Sequence, residues 1–424
     1  MSTTRKKKRN ANSTSQPLQS LAPAPAPNPL IPGLPDDVAV NCLTRVPRWH
    51  HPFLSFVSKP IRCLLSSPQF FAERSLLNCT NHVLYINIAP NNTELSTNWY
   101  TLDRRYSIYD EKKKKNKFFL TPIPSSPSKL RNCAYAVVGT KLFVIGGDIV
   151  TGDGENSGNV PSSDVWILDC RFHTWERGPN MRLPRSLART VVLEDKIYVF
   201  GGRKWVQDSK LRALQFAEVF DPAIGCWEVV PAPGKVFETV WVVERCGVVC
   251  GKVCVFCKYG NYCEYAGLVY DPRTKTWKLR RELNICSKCE VDGVLFKYDY
   301  FGTIVGYDER NGKKKELIGI LQNLPEFGPV ARMANVGGRL FVQWNIGIKE
   351  LYLDDSDYDD LDYDEEVKGS DDDDYEVKGE MWCAEIEVSK TMDGELRGKV
   401  LWADKLPLRD LENGIAFDWV SVAL

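Results

Sequence analysis

The chain has 424 residues, of which 43% are hydrophobic and 26% charged, and its 55 basic side chains are balanced by 55 acidic ones. This length suits a short module joined to a large one, and the composition excludes a wholly disordered chain. A formal net charge of zero gives the whole chain no electrostatic attraction to nucleic acid or to anionic lipid. No apolar stretch approaches the roughly 20 residues that span a bilayer, and the 14 cysteines without a secretory leader pattern predict reduced thiols in the cytoplasm or nucleus.

Residues 1–29 are predicted to be a disordered tail. A basic run from Arg5 to Arg9 precedes Ser, Asn and Gln residues, and alternating Ala and Pro lead to Pro29. Such a composition buries too little apolar area to order itself. The basic run is a candidate nuclear-import signal, with a solvated tail as the alternative.

Residues 30–78 have the apolar spacing of several short helices. Apolar side chains recur at intervals of three and four between Leu34 and Val46, and Pro47 ends this pattern. Three further patterns each begin at a proline: Pro52, Pro60 and Pro68. So small a helical core lies near the lower limit for independent stability, so we expect a module that needs a partner or that caps the next domain.

From residue 82 to residue 424 the pattern changes to the alternation of β-strands and repeats itself. The segment AVVGTKLFVIGG, residues 136–147, matches VVLEDKIYVFGG, residues 191–202, and each has a polar two-residue turn between strand-forming runs. Three more divergent copies of this hairpin begin at Gly247, Cys289 and Asn335. A second element follows the first three hairpins and places an aspartate six residues before a tryptophan: Asp169 and Trp175, Asp221 and Trp227, Asp271 and Trp277.

A four-strand unit that recurs at about 45 to 55 residues is the signature of a β-propeller blade. Strand-like segments at residues 84–88, 99–103 and 117–124 precede the first hairpin copy, and residues 415–424 supply one more strand. We therefore expect a six-bladed propeller over residues 82–424, closed by pairing of the C-terminal strand with the early strands, which removes exposed edges. The acidic stretch 354–376 is predicted to be a surface loop inside the fifth blade, because its charges repel one another.

The order of these two regions resembles that of a known family, the plant F-box proteins that carry kelch repeats. The stretch IPGLPDDVAVNCLTRVPRWHHPFLSFVSKPIRCLLSSPQFFAERSLL, residues 31–77, is similar to an F-box, and the chain from Leu84 onward is similar to the kelch propeller of that family. The family commonly has a tryptophan before the basic residue of its third helix, where this chain has Ile61 before Arg62.

This resemblance implies a substrate-recognition subunit of a Skp-cullin-F-box (SCF-type) ubiquitin ligase. The F-box would bind a Skp-type adaptor, and through it a cullin, while the propeller binds a target protein for ubiquitination. Other subunits would transfer the ubiquitin, so the chain itself would not be an enzyme. The candidate adaptor contacts are apolar residues of the helical module: Leu34, Pro35, Val38, Leu43, Val46, Pro47, Val57, Ile61 and Leu65.

Charged residues in propeller loops are candidates for target binding. Arg182, Arg185 and Arg189 precede the second hairpin and can form a positive spot for an acidic or polar surface, with solvated ion pairs as the alternative. Asp153 and Glu155 lie in the sequence GDGENSGN, which fits neither a phosphate-binding loop nor the twelve-residue calcium loop. We expect this segment to be a flexible loop that contacts the target.

The spacing of four cysteines also permits a zinc site. Cys254 and Cys257 form one pair with two residues between them, and Cys286 and Cys289 form another. Residues three apart on a strand point to opposite faces, which favours buried thiols instead. Three of the four histidines lie in or just after the helical region, so no histidine-rich centre is predicted, and the sequence nominates no metal, cofactor or catalytic residue.

Two other functions remain open at this level. One is a kelch scaffold that binds a protein partner without ligase association, its F-box having lost affinity for the adaptor through Pro60 and Ile61. The other is a propeller enzyme, against which the small number of histidines counts.

Overall fold

A computed structural model describes the chain over the following residues: 29–89, 98–105, 117–127, 130–151, 158–202, 216–233, 240–259, 264–280, 289–298, 303–308, 314–319, 324, 331–346, 380–406 and 415–424. A short helical segment is followed by a region that consists mainly of β-strands.

The helical segment contains four short α-helices and one 3-10 helix. They are α1 (Asp36–Thr44), the 3-10 helix (Arg48–His50), α2 (His51–Ser55), α3 (Lys59–Leu65) and α4 (Pro68–Leu76). A serine side chain caps each of the last two helices: Ser58 accepts the Ile61 N–H, and Ser67 accepts the Phe70 N–H. The last three α-helices have a proline in the first turn, as the sequence pattern predicts. No helix within the described ranges is both long enough and apolar enough to cross a membrane.

The strands follow in chain order. The first thirteen are β1 (His82–Ala89), β2 (Asn98–Arg105), β3 (Lys117–Pro122), β4 (Leu130–Arg131), β5 (Ala134–Val138), β6 (Lys141–Ile145), β7 (Asp148–Thr151), β8 (Gly158–Pro161), β9 (Val165–Asp169), β10 (Thr174–Arg177), β11 (Arg189–Leu193), β12 (Lys196–Phe200) and β13 (Ala217–Asp221). The others are β14 (Cys226–Val229), β15 (Val240–Val249), β16 (Lys252–Tyr259), β17 (Glu264–Asp271), β18 (Thr276–Arg280), β19 (Cys289–Val291), β20 (Val294–Tyr298), β21 (Ile304–Asp308), β22 (Lys314–Ile318), β23 (Ala331–Asn335), β24 (Leu340–Ile346), β25 (Glu380–Lys390), β26 (Leu396–Lys405) and β27 (Ile415–Ala423).

Most of these strands form four-stranded antiparallel arrays. Four separate sheets have the orders β27-β1-β2-β3, β5-β6-β9-β10, β11-β12-β13-β14 and β15-β16-β17-β18. An eight-stranded sheet contains two further arrays, β19 to β22 and β23 to β26, joined by a parallel pairing of β22 with β26. A small sheet of three strands, β4-β7-β8, completes the arrangement.

The C-terminal strand pairs with the first strand of the β region. In this antiparallel pair His82 lies opposite Ala423, and Ala89 lies opposite Ile415. Beyond the strands, Asn81 and Leu424 exchange backbone hydrogen bonds of 2.7 and 2.9 Å. The predicted pairing between residues 415–424 and the early strands is therefore confirmed.

The apolar cores lie between adjacent arrays. Tyr85 and Trp99 of the first sheet pack with Leu142 and Leu168 of the second. Similar clusters join the second sheet to the third and the third to the fourth. Another joins the two halves of the eight-stranded sheet, and a last one joins the half β23 to β26 to the first sheet. Because one array alone leaves an apolar face exposed, this stacking explains how the repeats form a nearly closed succession of sheets.

The recurring tryptophans and glycines have structural roles. Each tryptophan indole N–H donates to a proline carbonyl about 50 residues earlier: Trp175 to Pro124, Trp227 to Pro179 and Trp277 to Pro231. Gly146 has a φ of +62°, and a Cβ there would lie 2.4 Å from the backbone oxygen of Arg185. A side chain is therefore excluded at the end of this hairpin by a close approach of backbone.

The chain divides into two compact units, residues up to Leu43 and residues Thr44–Leu424. The division lies within the helical segment, whereas the sequence predicts a domain boundary near residue 80. Helices α2, α3 and α4 belong to the same unit as the sheets, and the contacts responsible are described below.

Candidate functional site

Three large apolar side chains are exposed around the end of α2. Phe53 is 68% exposed, Phe56 81% and Val57 68%. Their spacing of three and four residues places them on one side of the helical turn, and we call them the α2 apolar surface. Ile61 and Leu65, two predicted adaptor contacts, are buried on α3 instead. The α2 apolar surface is therefore exposed, whereas the two apolar side chains of α3 are buried.

Some apolar residues in and just before α1 are exposed, and others are buried. Leu34 and Val38 are 39% and 42% exposed, and Pro35 is also exposed, whereas Leu43 is buried. The carboxylate of Asp36 accepts the Leu30 N–H at 2.9 Å and fixes the start of the helix. Of these predicted adaptor contacts, Leu34 and Pro35 just before the helix and Val38 on it are thus accessible, whereas Leu43 on the helix is buried.

Val46 and Pro47, which follow α1 in the sequence and precede the 3-10 helix, are half-buried. The Val46 carbonyl accepts a hydrogen bond from Arg74 at 2.7 Å and lies 3.0 Å from a ring nitrogen of His51. The backbone at these two predicted contacts is therefore part of the internal framework of the module.

Arg74 of α4 connects the helical segment to the start of the sheets. Its side chain is buried, and burial lowers the pKa of the guanidinium from its ordinary value. Its acceptors are the carbonyls of Thr44 (2.6 Å), Val46 (2.7 Å) and Cys79 (2.6 Å) and the side-chain oxygen of Asn81 (2.7 Å). Since an arginine stays charged in proteins, these four acceptors offset the loss of its hydration.

His51 fills the space beside Arg74. Its ring is buried and meets the ring of Phe70 edge-on at 5.4 Å. Burial lowers the pKa of His51 from 6.5 to about 4. The ring is therefore neutral at physiological pH, and the nitrogen that faces the Val46 carbonyl must carry the hydrogen.

The helices contact the sheets at the turn between β9 and β10. The Arg48 guanidinium donates to the Cys170 carbonyl at 3.0 Å and lies 5.7 Å from the centroid of the Phe71 ring. Phe71 meets Phe172 edge-on, with 5.8 Å between centroids and 90° between ring planes. We call Arg48, Phe71, Cys170 and Phe172 the helix seat.

The strand register places the predicted arginine contacts at the other end of the sheets. In the β6–β9 pair Lys141 lies opposite Asp169, beside the turn that contains Cys170, while Ile145 lies opposite Val165 at the far end. Gly147, which follows β6 at the far end, donates its N–H to the backbone oxygen of Arg185 at 2.8 Å. The segment that carries the arginines is therefore separated from the helix seat by the length of a strand, about 15 Å for five residues.

The three arginines differ in exposure. Arg182 and Arg189 are exposed, and the Arg189 guanidinium donates to the Glu244 carbonyl at 2.7 Å. Arg185 is fully buried and forms a 3.0 Å ion pair with Glu218, which is also fully buried. Because a buried guanidinium cannot contact a partner at the surface, the expectation that Arg185 contacts a target is corrected: it stabilises the fold. Asp153, Glu155 and the acidic stretch 354–376 lie outside the described residues.

Three of the four cysteines of the possible zinc site are described, and Cys286 lies outside the described residues. Cys254, Cys257 and Cys289 are buried. Burial raises the pKa of Cys289 to about 12 and also raises that of Cys257, so both thiols are protonated at physiological pH. In the part of the chain that the structure describes, no three His, Cys, Asp or Glu side chains are grouped so as to hold a metal ion.

Sequence reasoning did not nominate Phe53, Phe56, Arg48 or Arg74. The two phenylalanines belong to an apolar pattern that equally predicts buried side chains. The sequence therefore gives no sign that these two are exposed. The arginines contact residues distant in sequence, which spacing does not show.

The comparison with known families agrees with both regions. Residues 31–73 match the family described as "F-box domain", and residues 99–407 match "FKB95, Kelch-repeats domain". The chain therefore combines an F-box with a kelch-repeat domain.

Curated relatives have the same organisation. "F-box/kelch-repeat protein At4g39550" of Arabidopsis thaliana is 32% identical over 425 residues, covering 95% of each chain. "F-box/kelch-repeat protein At4g39590" of the same plant is 32% identical over 395 residues, covering 88% of this chain and 86% of that protein. This chain belongs to the F-box/kelch-repeat protein family. A solved structure described as "Structure of YjhT" has 15% identity and a TM-score of 0.34 and covers 58% of this chain and 83% of that one, a similarity too weak to bear on the fold.

Proposed function

We propose that this protein is a substrate-recognition subunit of an SCF-type ubiquitin ligase. The observation that carries the proposal is the α2 apolar surface: Phe53, Phe56 and Val57 are exposed within a segment that matches the F-box. Burying such side chains against a partner gains about 25 cal/mol for each Å² removed from water. A Skp-type adaptor, joined in turn to a cullin, is the partner that an F-box requires.

The proposed adaptor contacts are the exposed members of the set that the sequence nominates: Leu34, Pro35, Val38 and Val57. We add Phe53 and Phe56, which the structure shows to be exposed. Leu43, Ile61 and Leu65 are buried, so we assign them to internal packing of their own helices and not to adaptor contact. Val46 and Pro47 are half-buried, and we assign them a role in positioning the backbone. The replacement of the family's tryptophan by Ile61 then changes internal packing and leaves the exposed surface apolar.

We infer a six-bladed ring for the kelch domain. Six four-stranded arrays support this count, if the eight-stranded sheet is taken as two blades joined through β22 and β26. The strands β5, β11, β15, β19, β23 and β27 each lie at one end of an array and are assigned to the centre of the ring. A ring of this kind displays loops at both ends of its strands.

The target protein is proposed to bind at the end of the strands remote from the helix seat. Arg182 and Arg189 lie at that end and are exposed, so they present positive charge to an acidic or polar target surface. Asp153 and Glu155, which lie outside the described residues, are proposed to contribute to the same target contact. With helices α2 to α4 and the target at opposite ends of the sheets, the chain would raise the effective concentration of a target lysine near the ubiquitin-carrying enzyme, without catalysis of its own. We place this activity in the cytoplasm or the nucleus.

A co-purification experiment tests this function. The full chain is expressed with a Skp-type adaptor and a cullin, beside a variant in which Phe53, Phe56 and Val57 are all changed to serine. The wild-type chain is expected to retain both partners and the variant to lose them, while circular dichroism shows both to be folded. If the folded wild-type chain retains neither partner, the ligase function is wrong, and the kelch scaffold without ligase association takes its place.

A further inference from the structure

The five residues between α4 and β1, Leu77 to Asn81, are held by hydrogen bonds at both ends. The Cys79 N–H donates to the Arg74 carbonyl at 2.8 Å, and the Cys79 carbonyl accepts from the Arg74 guanidinium at 2.6 Å. Asn81 exchanges two backbone hydrogen bonds with Leu424, which follows β27. A linker with these bonds does not act as a free hinge.

The side chain of Asn81 joins this linker to two helices. Its oxygen accepts the Arg48 N–H at 2.9 Å and the Arg74 guanidinium at 2.7 Å. The 3-10 helix and α4 thus both donate to one amide group, that of the residue immediately before β1.

The helix seat adds a second attachment, on a different sheet, which shares Arg48 with the first. The Cys170 carbonyl accepts from the Arg48 guanidinium and from the hydroxyl of Tyr85, each at 3.0 Å. Phe172 contacts both the ring of Phe71 and the Arg171 guanidinium, which is 5.0 Å from the Phe172 ring centroid. Arg171 is held in turn by a 2.6 Å ion pair with Asp169 at the end of β9.

Two attachments at separate points fix an orientation, whereas one attachment permits rotation about it. We propose that Arg48, Phe71 and Phe172 are positioning residues: they hold α2 to α4 in one orientation on the kelch sheets. The α2 apolar surface begins three residues after the 3-10 helix that carries Arg48, so the seat sets the direction in which it faces. If the ligase function proposed above holds, the seat also sets which lysines of the bound protein the enzyme reaches.

Hydrogen exchange tests the orientation itself. The full chain is compared with Arg48→Ala and Phe172→Ala, with the exposed arginine variant Arg280→Ala as the matched control for charge. In the two seat variants, amide exchange in peptides covering residues 77–82 and 170–173 is expected to be about tenfold faster, while peptides of β12 and β16 keep the wild-type rate. Phe172→Tyr, which retains the ring, is expected to behave as wild type.

A second measurement tests whether the orientation of α2 to α4 on the kelch sheets affects ubiquitin transfer. The full chain is assembled with adaptor, cullin, RING subunit and conjugating enzyme, and the lysines of the chain that become ubiquitylated are mapped by mass spectrometry. The seat variants are expected to bind adaptor as tightly as wild type but to spread modification over about twice as many lysines of the kelch domain. A merely stabilising role of the seat would leave this distribution unchanged.

The outcomes separate the two proposals. If both folded seat variants keep wild-type exchange at residues 77–82 and 170–173, or if their exchange rises but the pattern of modified lysines stays the same, the positioning role is wrong. If Arg48→Ala fails to fold, Phe172→Ala alone tests the positioning role, because Phe172 lies in a partly exposed turn and its replacement is less disruptive. If the wild-type chain binds no adaptor, the ligase function fails, and the exchange rates alone decide whether the seat fixes the helices.

Discussion

Arg185 and Glu218 form an ion pair of 3.0 Å in which both side chains are fully buried. The carboxylate also accepts the Arg182 N–H at 2.8 Å, and the guanidinium also donates to the Gly201 carbonyl at 2.6 Å. Every partner in this network lies at the end of the strands remote from the helix seat. The pair therefore fixes the backbone from which the exposed Arg182 projects, although neither member contacts solvent.

Removing Glu218 should strongly destabilise the kelch domain. In Glu218→Ala the charge of Arg185 stays buried without its counter-ion, and we expect the free energy of unfolding to fall by about 3 to 5 kcal/mol. Chemical denaturation followed by tryptophan fluorescence measures this loss. The control is Glu176→Ala, which removes an exposed 2.7 Å pair with Lys141 and should cost about 1 kcal/mol or less. Equal losses in the two variants would contradict the role of the buried pair.

The α2 apolar surface should affect adaptor binding without affecting stability. Phe56 is 81% exposed, so Phe56→Ala is expected to change the free energy of unfolding by about 0.5 kcal/mol or less. The same change should weaken adaptor binding at least about tenfold, as expected for an aromatic anchor in an interface. Isothermal titration with a purified Skp-type adaptor measures the affinity. Ile224→Ala, at an exposed apolar side chain in a turn of the kelch domain, is the control and should bind normally.

Gly146 should be far less tolerant of a side chain than Gly139. Both have positive φ, +62° and +57°, so an alanine at either position suffers similar backbone strain. A Cβ at Gly146 would lie 2.4 Å from the Arg185 backbone oxygen, whereas a Cβ at Gly139 meets nothing within 4 Å. We therefore expect Gly146→Ala to lower the free energy of unfolding by about 1 to 3 kcal/mol more than Gly139→Ala. Thermal unfolding of the two variants checks this, and a smaller loss for Gly146→Ala would refute the steric argument.

Local sequence signals predict the repeating unit because its chemistry is local. The turn residues Glu194 and Asp195 both adopt positive φ, as a tight hairpin between β11 and β12 requires. Asp221 accepts the N–H of Ala223, a bond within the turn that precedes the repeated tryptophan. Each of these interactions spans a few residues, so the hairpins could be predicted from the chain alone. The pairing of the last strand with the first is long-range, and it is predicted for a different reason, because closure removes exposed strand edges.

Long-range partners could not be predicted in this way. Arg185 and Glu218 are 33 residues apart and lie in different elements, so the arginine has the appearance of any charged loop residue. The parallel pairing of Leu317 with Leu396 likewise joins two strands that no short motif connects. For the candidate site, spacing identifies the apolar side of α2 and α3 but does not tell which members face inward, because buried Ile61 and exposed Val57 fit the same pattern.

The buried, neutral His51 should make the helical segment sensitive to acid. Its pKa is lowered from 6.5 to about 4 by burial, so between these values the unfolded chain binds a proton that the folded chain does not. Stability is therefore full above pH 6.5 and falls as the pH decreases toward 4, and between pH 7.5 and pH 5 the loss is about 2 kcal/mol. The measurement is the pH dependence of unfolding of wild type and of His51→Gln, which keeps a donor for the Val46 carbonyl but does not titrate. Between pH 7.5 and pH 5 the variant should lose about 2 kcal/mol less stability than wild type. Equal losses would mean that folding does not lower the pKa of His51.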